Sequence, residues 1–317
     1  MQQFHKIAMI GGAGFVGSYI AEELTRHDAQ LSIATRRRER HKGLLIHLPG
    51  ADLVETGVHD AGQLEQFLAG HDAVISMVGI LHGSRRDFEK AHIELAGKIV
   101  AACQKLGIKR VIHISALGAG ETAPSDYQQT KGKAERLLRD SGLDVTILRP
   151  SVIFGAGDSF LTLFAHLAAV APFIPLAGAD TRFAPVWVED VARAVRVCLE
   201  QDASIGQTLE LTGPNTYTLR QLVAYAANLA GHPRTLIALP EGLAMLQATL
   251  MELLPGTPPL SRDNVRSLRV DNVSQQPFPA ALLGFQPSAL EAVAPLYLGE
   301  REFNRKLDRY RAQAARR

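Results

Sequence analysis

The chain predicts an α/β fold, a doubly wound parallel sheet followed by a smaller, mainly helical C-terminal portion. Three observations carry that expectation. Short apolar runs recur at 7–10, 31–35, 52–56, 73–78, 110–115 and 144–149. Helical patterns separate most of them. The first run passes through clustered glycines directly into SYIAEELTRH, which has helical character. Such alternation requires parallel pairing with right-handed crossovers, because parallel neighbours cannot be joined by a tight turn.

The first crossover is the most informative element. Ile7-Ala8-Met9-Ile10 runs into GGAGFVG, Gly11 to Gly17. Gly11 can take the unusual backbone angles of a tight turn. Gly14 lets the main chain approach a pyrophosphate, and Gly17 lets the helix pack close to the strand. Phosphates would then sit at a helix N-terminus, where unpaired N–H groups and the positive dipole end favour an anion. This is the turn of a Rossmann-type sheet, and it predicts a dinucleotide site.

The clearest later helix is DFEKAHIELAGKIVAACQKLG, expected to open on Asp87 and close on Gly107. Ser125, with Gln128 three residues on, forms a candidate capping box for SDYQQTKGKAERLL. After Pro150 the alternation fades. Residues 151–182, with FGAGD and AAVAPFIPLAG, read as loop and helix over a pocket. WVEDVARAVRVCLEQ is an amphipathic helix, QTLELTG a further strand, and the chain from 218 onward is mainly helical. The domain expectation is a core of 1–150, with 184–213 returning to it. Residues 151–183 and 214–317 form a smaller substrate- or partner-binding portion.

Bulk properties narrow the function classes. At 317 residues the chain suits one large α/β domain with an appendage, or two modest domains. A formal net charge of +2 gives no electrostatic case for nucleic acid as a partner. Cys103 and Cys198 are distant and lie in apolar helical patterns, so buried free thiols are expected. The eleven histidines lack zinc-site spacing, so no metal is expected. The early first strand leaves no room for a cleavable signal peptide, and no apolar run reaches the roughly 18 residues of a membrane span. Cytoplasm is the default location.

The second strand bears on cofactor choice. NAD-specific sites place a carboxylate about 20 residues beyond the glycines, where it bonds the ribose hydroxyls. Here that stretch reads Ala34-Thr35-Arg36-Arg37-Arg38, with no acid before Glu39. Arg36 or its neighbour Arg37 can instead pair with a 2′-phosphate through the planar guanidinium fork. NADP(H) is thus favoured over NAD(H); the competing reading is a solvated charged loop.

Tyr127 and Lys131 form Y-x-x-x-K, which places both on one helical face. A phenol with a pKa near 10 is a poor base at neutral pH, and a nearby ammonium stabilises the phenolate. Tyr127 can then exchange a proton with a substrate oxygen while hydride moves to or from nicotinamide, and Lys131 can also bond the nicotinamide ribose. An isolated match would be a surface pair. This one lies between two core strands and after the glycine turn, which favours the functional reading.

In order, GGAGFVG, RVIHISALGAG, YQQTK, ILRPSVIFGAGD and RFAPVWVEDVARAV resemble the short-chain dehydrogenase/reductase superfamily, its extended and atypical branches best. Within these the chain is most similar to relatives of the dehydrogenase-like accessory subunit of respiratory complex I, including bacterial stand-alone versions. The resemblance covers nearly the whole chain. It implies that Gly11, Gly14 and Gly17 form the phosphate turn, that amides of Phe15 and Val16 face the pyrophosphate, and that Arg36 meets the adenosine phosphate. It also implies an adenine-contacting loop at Thr56–Asp60. Gly57 stands there where an aspartate is usual, which leaves the backbone of Val58. Met77, Val78 and Gly79 would flank the adenosine ribose and pyrophosphate, and Pro150, Ser151 and Val152 the nicotinamide.

One departure concerns catalysis. Active relatives follow strand five with two small hydroxyl residues, the second polarising the substrate carbonyl; here the pair is Ser115-Ala116. Ser115, a third candidate catalytic residue, falls one position early, where it would bond backbone or cofactor. A missing donor to an oxyanion costs about 2.7–4 kcal/mol of transition-state stabilisation. Three functions follow from the resemblance. The leading one is an NADPH-preferring oxidoreductase acting on an apolar carbonyl or alcohol. The second is a weakly active or inactive NADPH-binding accessory or assembly protein of a respiratory membrane complex. The third is a sugar-nucleotide epimerase or dehydratase.

PEGLAMLQATLMELLPGTPPL, 240–260, is apolar on most of its circumference but too short to span a bilayer. A buried or pocket-covering helix is one reading; a surface for a membrane, a lipid-like substrate or a partner protein is the other. The tail 300–317 carries seven Lys/Arg against three acids, a fraying terminal helix or a membrane-surface contact. Trp187 and Asp190 are read as fold-maintaining, with Asp190 near a helix start.

Overall fold

The computed structural model describes residues 4–45, 48–254, 256 and 258–298. Its first compact unit comprises Met1–Pro150, Val188–Leu211 and Ser274–Gln286. Six strands in chain order, β1 (Lys6–Ile10), β2 (Gln30–Thr35), β3 (Ala51–Glu55), β4 (Ala73–Ser76), β5 (Arg110–Ile114) and β6 (Asp144–Pro150), share one sheet with Thr208–Leu211. From one edge the order is Thr208–Leu211, β6, β5, β4, β1, β2, β3. Every pairing is parallel. The chain therefore reverses its direction of winding between β1 and β4, and a crevice opens beyond their carboxyl ends. This is the predicted doubly wound, Rossmann-type sheet.

The helices of this unit are α1 (Phe15–Thr25), α2 (Arg38–Leu45), α3 (Ala61–Leu68), α4 (Arg85–Phe88), α5 (Leu95–Leu106) and α6 (Asp126–Arg139), with Val188–Glu200 later. Both sheet faces are covered, so β1 from Ile7 onward and the whole of β5, Arg110 and His113 included, are buried on both sides rather than alternating. Leu64, Leu68, Leu95, Ile99, Val111 and Leu138 form the core between α3, α5, α6 and the sheet. Each such side chain contributes about 1.5–3 kcal/mol on burial. On the other face α1 packs with Val188–Glu200, joined by Arg196 to Glu23 at 2.8 Å.

The helix expected at 87–107 is composite. Ser84, not Asp87, is its N-cap: Ser84 Oγ accepts from Asp87 N, and Asp87 Oδ2 accepts from Ser84 N at 2.8 Å. Asp87 has the right chemistry but sits at the third helical position of a reciprocal capping box. A π-helical segment, Glu89–Glu94, separates α4 from α5 and leaves His92 buried. Gly107 closes α5 in the left-handed conformation, φ 73°. Buried Arg110 donates to the carbonyls of Asp144 and Cys198 and to the hydroxyls of Thr146 and Ser204. Cys103 and Cys198 are buried free thiols, each pushed up to about 12 by burial.

The second unit comprises Ser151–Trp187, Thr212–Val273 and Pro287–Arg317. Residues 184–187 stay in it because Val186–Trp187 pairs with Ile153–Phe154. Ser274–Gln286 belongs instead to the first unit, held by Ser274 Oγ on Glu210 at 2.6 Å and by Arg193 over the ring of Phe285. The second unit is less purely helical than its sequence implied. Phe173–Ala177, within the stretch read as loop and helix, pairs in parallel with Thr235–Leu239. Both runs are short and apolar, where periodicity alone does not separate strand from helix. Helices at Leu161–Val170, Leu219–Leu229 and Leu290–Leu298 enclose this unit's main core.

Glu241–Glu252 buries only Ala244 and Ala248 and exposes its leucines, so the buried-helix reading of 240–260 does not hold. Ala244 and Ala248 join a small cluster with Ala177, Leu239 and Val265, to which Met245 of the same helix adds, while Leu243, Leu246 and Leu250 stay exposed. The basic tail 300–317 lies outside the described residues. Among those described, no helix is long and apolar enough to cross a membrane.

Candidate functional site

The glycine turn joins the end of β1 to α1. Gly11 adopts φ 88°, and a Cβ there would lie 2.9 Å from Val78 N and 3.1 Å from the carbonyl carbon of Met77. The ends of β1 and β4 thus touch through backbone, which only glycine permits. Gly17 packs against the main chain of Gly12, 2.2 Å from where its Cβ would stand. The close approach is therefore to the turn itself. Gly14 is the N-cap of α1, has no side-chain cap bond, and would meet nothing within 4 Å on gaining a Cβ. The first N–H groups of α1, from Phe15 and Val16 onward, have no intrahelical acceptor by geometry. An open cradle with free donors and a positive dipole end fits a diphosphate.

Arg36 and Arg37 are exposed just beyond the carboxyl end of β2. The loop behind them is braced by Thr35 Oγ1, which accepts from Arg37 N at 3.2 Å and contacts His41 Nδ1 at 2.9 Å. The Gly57–Asp60 loop follows β3. Asp60 caps α3 by accepting from Gln63 N, and Gly57 N donates to Gln63 Oε1, both at 2.8 Å. Glycine at 57 leaves the loop's order to Gln63. Lys98 donates to the carbonyl of His59 at 2.6 Å. The His59 imidazole is lowered by burial first and then by Lys90, Lys98 and Arg36. Three cations thus act on the Gly57–Asp60 loop, and of these only Arg36 stood out in the sequence.

Beyond β4, Met77 and Val78 are partly buried and Gly79 is exposed. The place of a Gly79 Cβ is 3.7 Å from Lys131 Cε and Nζ. Lys131 itself is buried, and its ammonium donates to the carbonyl of Ile114 at 2.9 Å and that of Val78 at 3.4 Å. Gly11, Met77, Val78, Gly79 and Lys131 therefore meet at the reversal point of the sheet. Ser125 caps α6 by accepting from Gln128 N at 3.2 Å, which fixes Tyr127 and Lys131 one turn apart. The capping partnership differs from a reciprocal box, because Gln128 Oε1 accepts from the Ser125 hydroxyl.

The electrostatics differ from expectation. Burial pushes the Tyr127 phenol up to about 12, while burial lowers Lys131 to about 8 against the attraction of Glu135. The ammonium spends its donors on backbone carbonyls, and the phenol is left in its neutral, proton-donating form.

Ser115 is the largest displacement from its expected role. Its hydroxyl donates to Glu135 Oε1 at 2.5 Å, not to backbone. Glu135, buried one turn after Lys131, also accepts from Arg149 at 2.9 and 2.6 Å and from Arg139 at 3.1 Å. Its four-residue spacing from Lys131 was a signal available in the sequence.

His92 was not foreseen. Its ring meets Tyr127 edge-on at 5.6 Å, and burial with Lys131 lowers it to about 3. Thr130 Oγ1 gives its proton to the carbonyls of Asp126 and Tyr127, so His92 Nδ1–H donates to that oxygen at 2.8 Å. His92 Nε2 then accepts from Ile80 N at 3.4 Å. One neutral tautomer satisfies both contacts.

Pro150 is the buried last residue of β6, and its carbonyl accepts from Leu117 N at 2.9 Å. Ser151 and Val152 open the second unit. There the Ser151 hydroxyl donates to Asn272 Oδ1 at 2.6 Å, and Val152 N donates to the same oxygen at 3.1 Å.

A family model described as NAD(P)H-binding matches residues 11–158. Mouse (Mus musculus) NADH dehydrogenase [ubiquinone] 1 alpha subcomplex subunit 9, mitochondrial, is 30% identical over 292 residues, covering 89% of this chain and 77% of that protein. The chain belongs to the NAD(P)-binding, dehydrogenase-like family of these subunit 9 proteins. A ceramide reductase of Caulobacter vibrioides is 26% identical over 240 residues, 74% of each chain. Among solved structures, the NADPH-dependent quinone oxidoreductase QOR2 complexed with NADPH from Escherichia coli superposes with a TM-score of 0.73. It is 21% identical and covers 92% of this chain and 99% of that one, a likeness of fold. The subunit 9 family thus shares its sheet with reductases, and the buried Tyr–Lys helix of this member lies within the matched region.

Proposed function

We propose that this subunit 9 family member is an NADPH-preferring oxidoreductase acting on the carbonyl or alcohol of an apolar small molecule. The observation that carries the reading is Lys131: a buried ammonium beside Gly79 and the glycine turn, one helical turn from Tyr127. Gly11, Gly14, Gly17 and the amides of Phe15 and Val16 would hold the diphosphate. Arg36 and Arg37 would meet the 2′-phosphate, with Lys90 and Lys98 adding to the field. Val58, Met77, Val78 and Gly79 would border the adenosine side, and Pro150, Ser151 and Val152 the nicotinamide side. A bound nicotinamide supplies or accepts the hydride.

The chain's own residues handle the proton. Tyr127, neutral up to about pH 12, gives its hydroxyl proton to the substrate oxygen as the carbonyl becomes an alcohol. Lys131, largely protonated at pH 7, bonds the ribose and stabilises the phenolate left behind. His92 keeps the tyrosine ring in place without competing for the proton. The ceramide reductase among the relatives supports an apolar substrate. Stereospecifically deuterated NADPH tests the reading in a screen of long-chain ketones. Label appearing in the alcohol product, and lost with Tyr127→Phe, is the expected result; label transfer at the wild-type rate by that variant contradicts it.

A second reading is a nucleotide-loaded accessory protein of a respiratory complex, held peripherally at a membrane. Two observations favour it: the mouse relative is by name a subunit of NADH dehydrogenase, and Ser115 is engaged by Glu135 with Ala116 beside it. Retention of NADPH without turnover, together with co-purification with that membrane complex, is its signature.

A further inference from the structure

The imidazole of His59 stands among three cations. Thr56 N donates to the carbonyl of Thr35 at 3.0 Å, so the Gly57–Asp60 loop starts beside Arg36 at the end of β2. From the other side Lys98 of α5 donates to the carbonyl of His59 at 2.6 Å, which spends one of its three N–H donors. Lys90, on the π-helical segment, is the third positive charge acting on the ring, and Glu94 is the one carboxylate that opposes them. Lys90 and Glu94 also line, with Arg86 and Asp87, a cavity of about 460 Å³. Asp87 is committed to the Ser84 cap, and Asp60 to Gln63 N. Among the described residues no carboxylate forms an ion pair with Arg36, Lys90 or Lys98. His59 Nδ1 is itself buried, with no hydrogen-bond partner among the described residues. Cations without carboxylate partners around an unpartnered imidazole nitrogen point to an anion, because a buried polar group is otherwise left uncompensated.

We propose that Arg36, Lys90 and Lys98 form one niche for the 2′-phosphate of NADPH, and that the His59 imidazole takes up a proton from solvent as the phosphate enters it. The proposal rests on NADPH being the coenzyme, and adds a protonation step that NADH, without that phosphate, does not drive. In the coenzyme-free protein the ring is neutral at pH 7: burial and the cations disfavour a further positive charge, and Glu94 alone favours it. A phosphate carrying close to two negative charges offsets the cations and offers the ring an acceptor oxygen. Both effects favour the imidazolium, so its pKa rises on binding and a proton is taken up. By linkage, NADPH binds more tightly as pH falls through the range between the free and bound values of His59. The phosphate's own second ionisation, at about 6, works in the opposite direction, since the niche favours the dianion. That release is small at pH 7, where the free phosphate is already mostly dianionic, and it persists without His59.

Calorimetric titration of the full chain at pH 7, in two non-phosphate buffers of different ionisation enthalpy, counts the protons exchanged with each coenzyme. The wild type is expected to take up a few tenths of a proton with NADPH and none with NADH. His59→Gln keeps a polar, uncharged side chain and is expected to abolish the uptake. Lys90→Met is expected to weaken NADPH about three- to tenfold, with NADH within about twofold, the loss of one screened charge contact. Histidine NMR titration of the wild type answers the same question without a substitution: the His59 midpoint should move up on adding NADPH and stay in place with NADH. NADPH binding with no more proton uptake than NADH, uptake undiminished in His59→Gln, or an unmoved His59 midpoint overturns the proposal. Absence of NADPH binding altogether overturns the coenzyme reading beneath it as well.

Discussion

Ser115 gives its hydroxyl proton to Glu135 across 2.5 Å, tying the end of β5 to α6 through a carboxylate that Arg149 also grips twice. The geometry makes Glu135 the centre of a structural network in which the Ser115 hydroxyl proton is already committed. Glu135→Ala should cost about 3–5 kcal/mol, the range for breaking a buried ion pair. Ser115→Ala should cost less, about 1.5–3 kcal/mol, one hydrogen bond to a charged group. Urea denaturation of both variants checks the ordering, and equal losses would contradict it.

Turnover should divide differently. Tyr127→Phe removes the proposed proton donor while leaving the ring against Phe88 and His92. Turnover is expected to fall about 100- to 10,000-fold with NADPH affinity within about threefold, because in the proposed mechanism the phenol acts on substrate rather than coenzyme. Ser115→Ala is expected to retain most activity. Steady-state rates beside fluorescence titration of NADPH separate the two effects.

Stability should depend on pH through Lys131 and His92. Lys131 is lowered to about 8 from 10.5, so between those values the unfolded chain binds more protons than the folded one. Stability therefore rises as pH climbs from 8 to 10.5 and is flat below 8 on this account. His92 is lowered to about 3 from 6.5, so the unfolded chain again binds more protons between them, and stability falls as pH drops from 6.5 towards 3. Melting curves across pH should lose the alkaline rise in Lys131→Met and part of the acid fall in His92→Asn. Unaltered pH profiles in these variants would refute the assignment.

Coenzyme preference should reside at the adenosine end. Arg36→Glu with Arg37→Glu is expected to weaken NADPH by about 10- to 100-fold, two charge-assisted contacts replaced by repulsion. NADH should change by about threefold or less. Lys98→Met should also weaken NADPH, through both the local field and the loop carbonyl at His59. Parallel losses for both coenzymes in the arginine variant would refute the 2′-phosphate role.

The sheet was legible because its strands are short, mainly apolar runs bounded by turn residues, and β1 before its glycines is the plainest case. The Tyr127–Lys131 helix was legible from one spacing and one cap. What escaped depends on contacts distant in sequence. Glu135 becomes meaningful only when Arg149 and Ser115 close on it, and His92 only because a π-helical turn carries it under Tyr127. The strand pair Phe173–Ala177 and Thr235–Leu239 escaped because each run is short and its partner lies some 60 residues away. The outward leucines of Glu241–Glu252 escaped because the sequence does not say that alanines would take the buried side.

Calorimetric titration of NADPH into the wild type and into Gly14→Val is the most direct measurement. Gly14 has φ −99° and open space where a side chain would begin, so valine fits the folded protein and obstructs only what approaches the turn. Saturable one-to-one heat in the wild type, abolished in the variant with its fold intact, is the predicted result. Absence of heat with any nicotinamide dinucleotide, or undiminished binding by Gly14→Val, would contradict a diphosphate held at the start of α1.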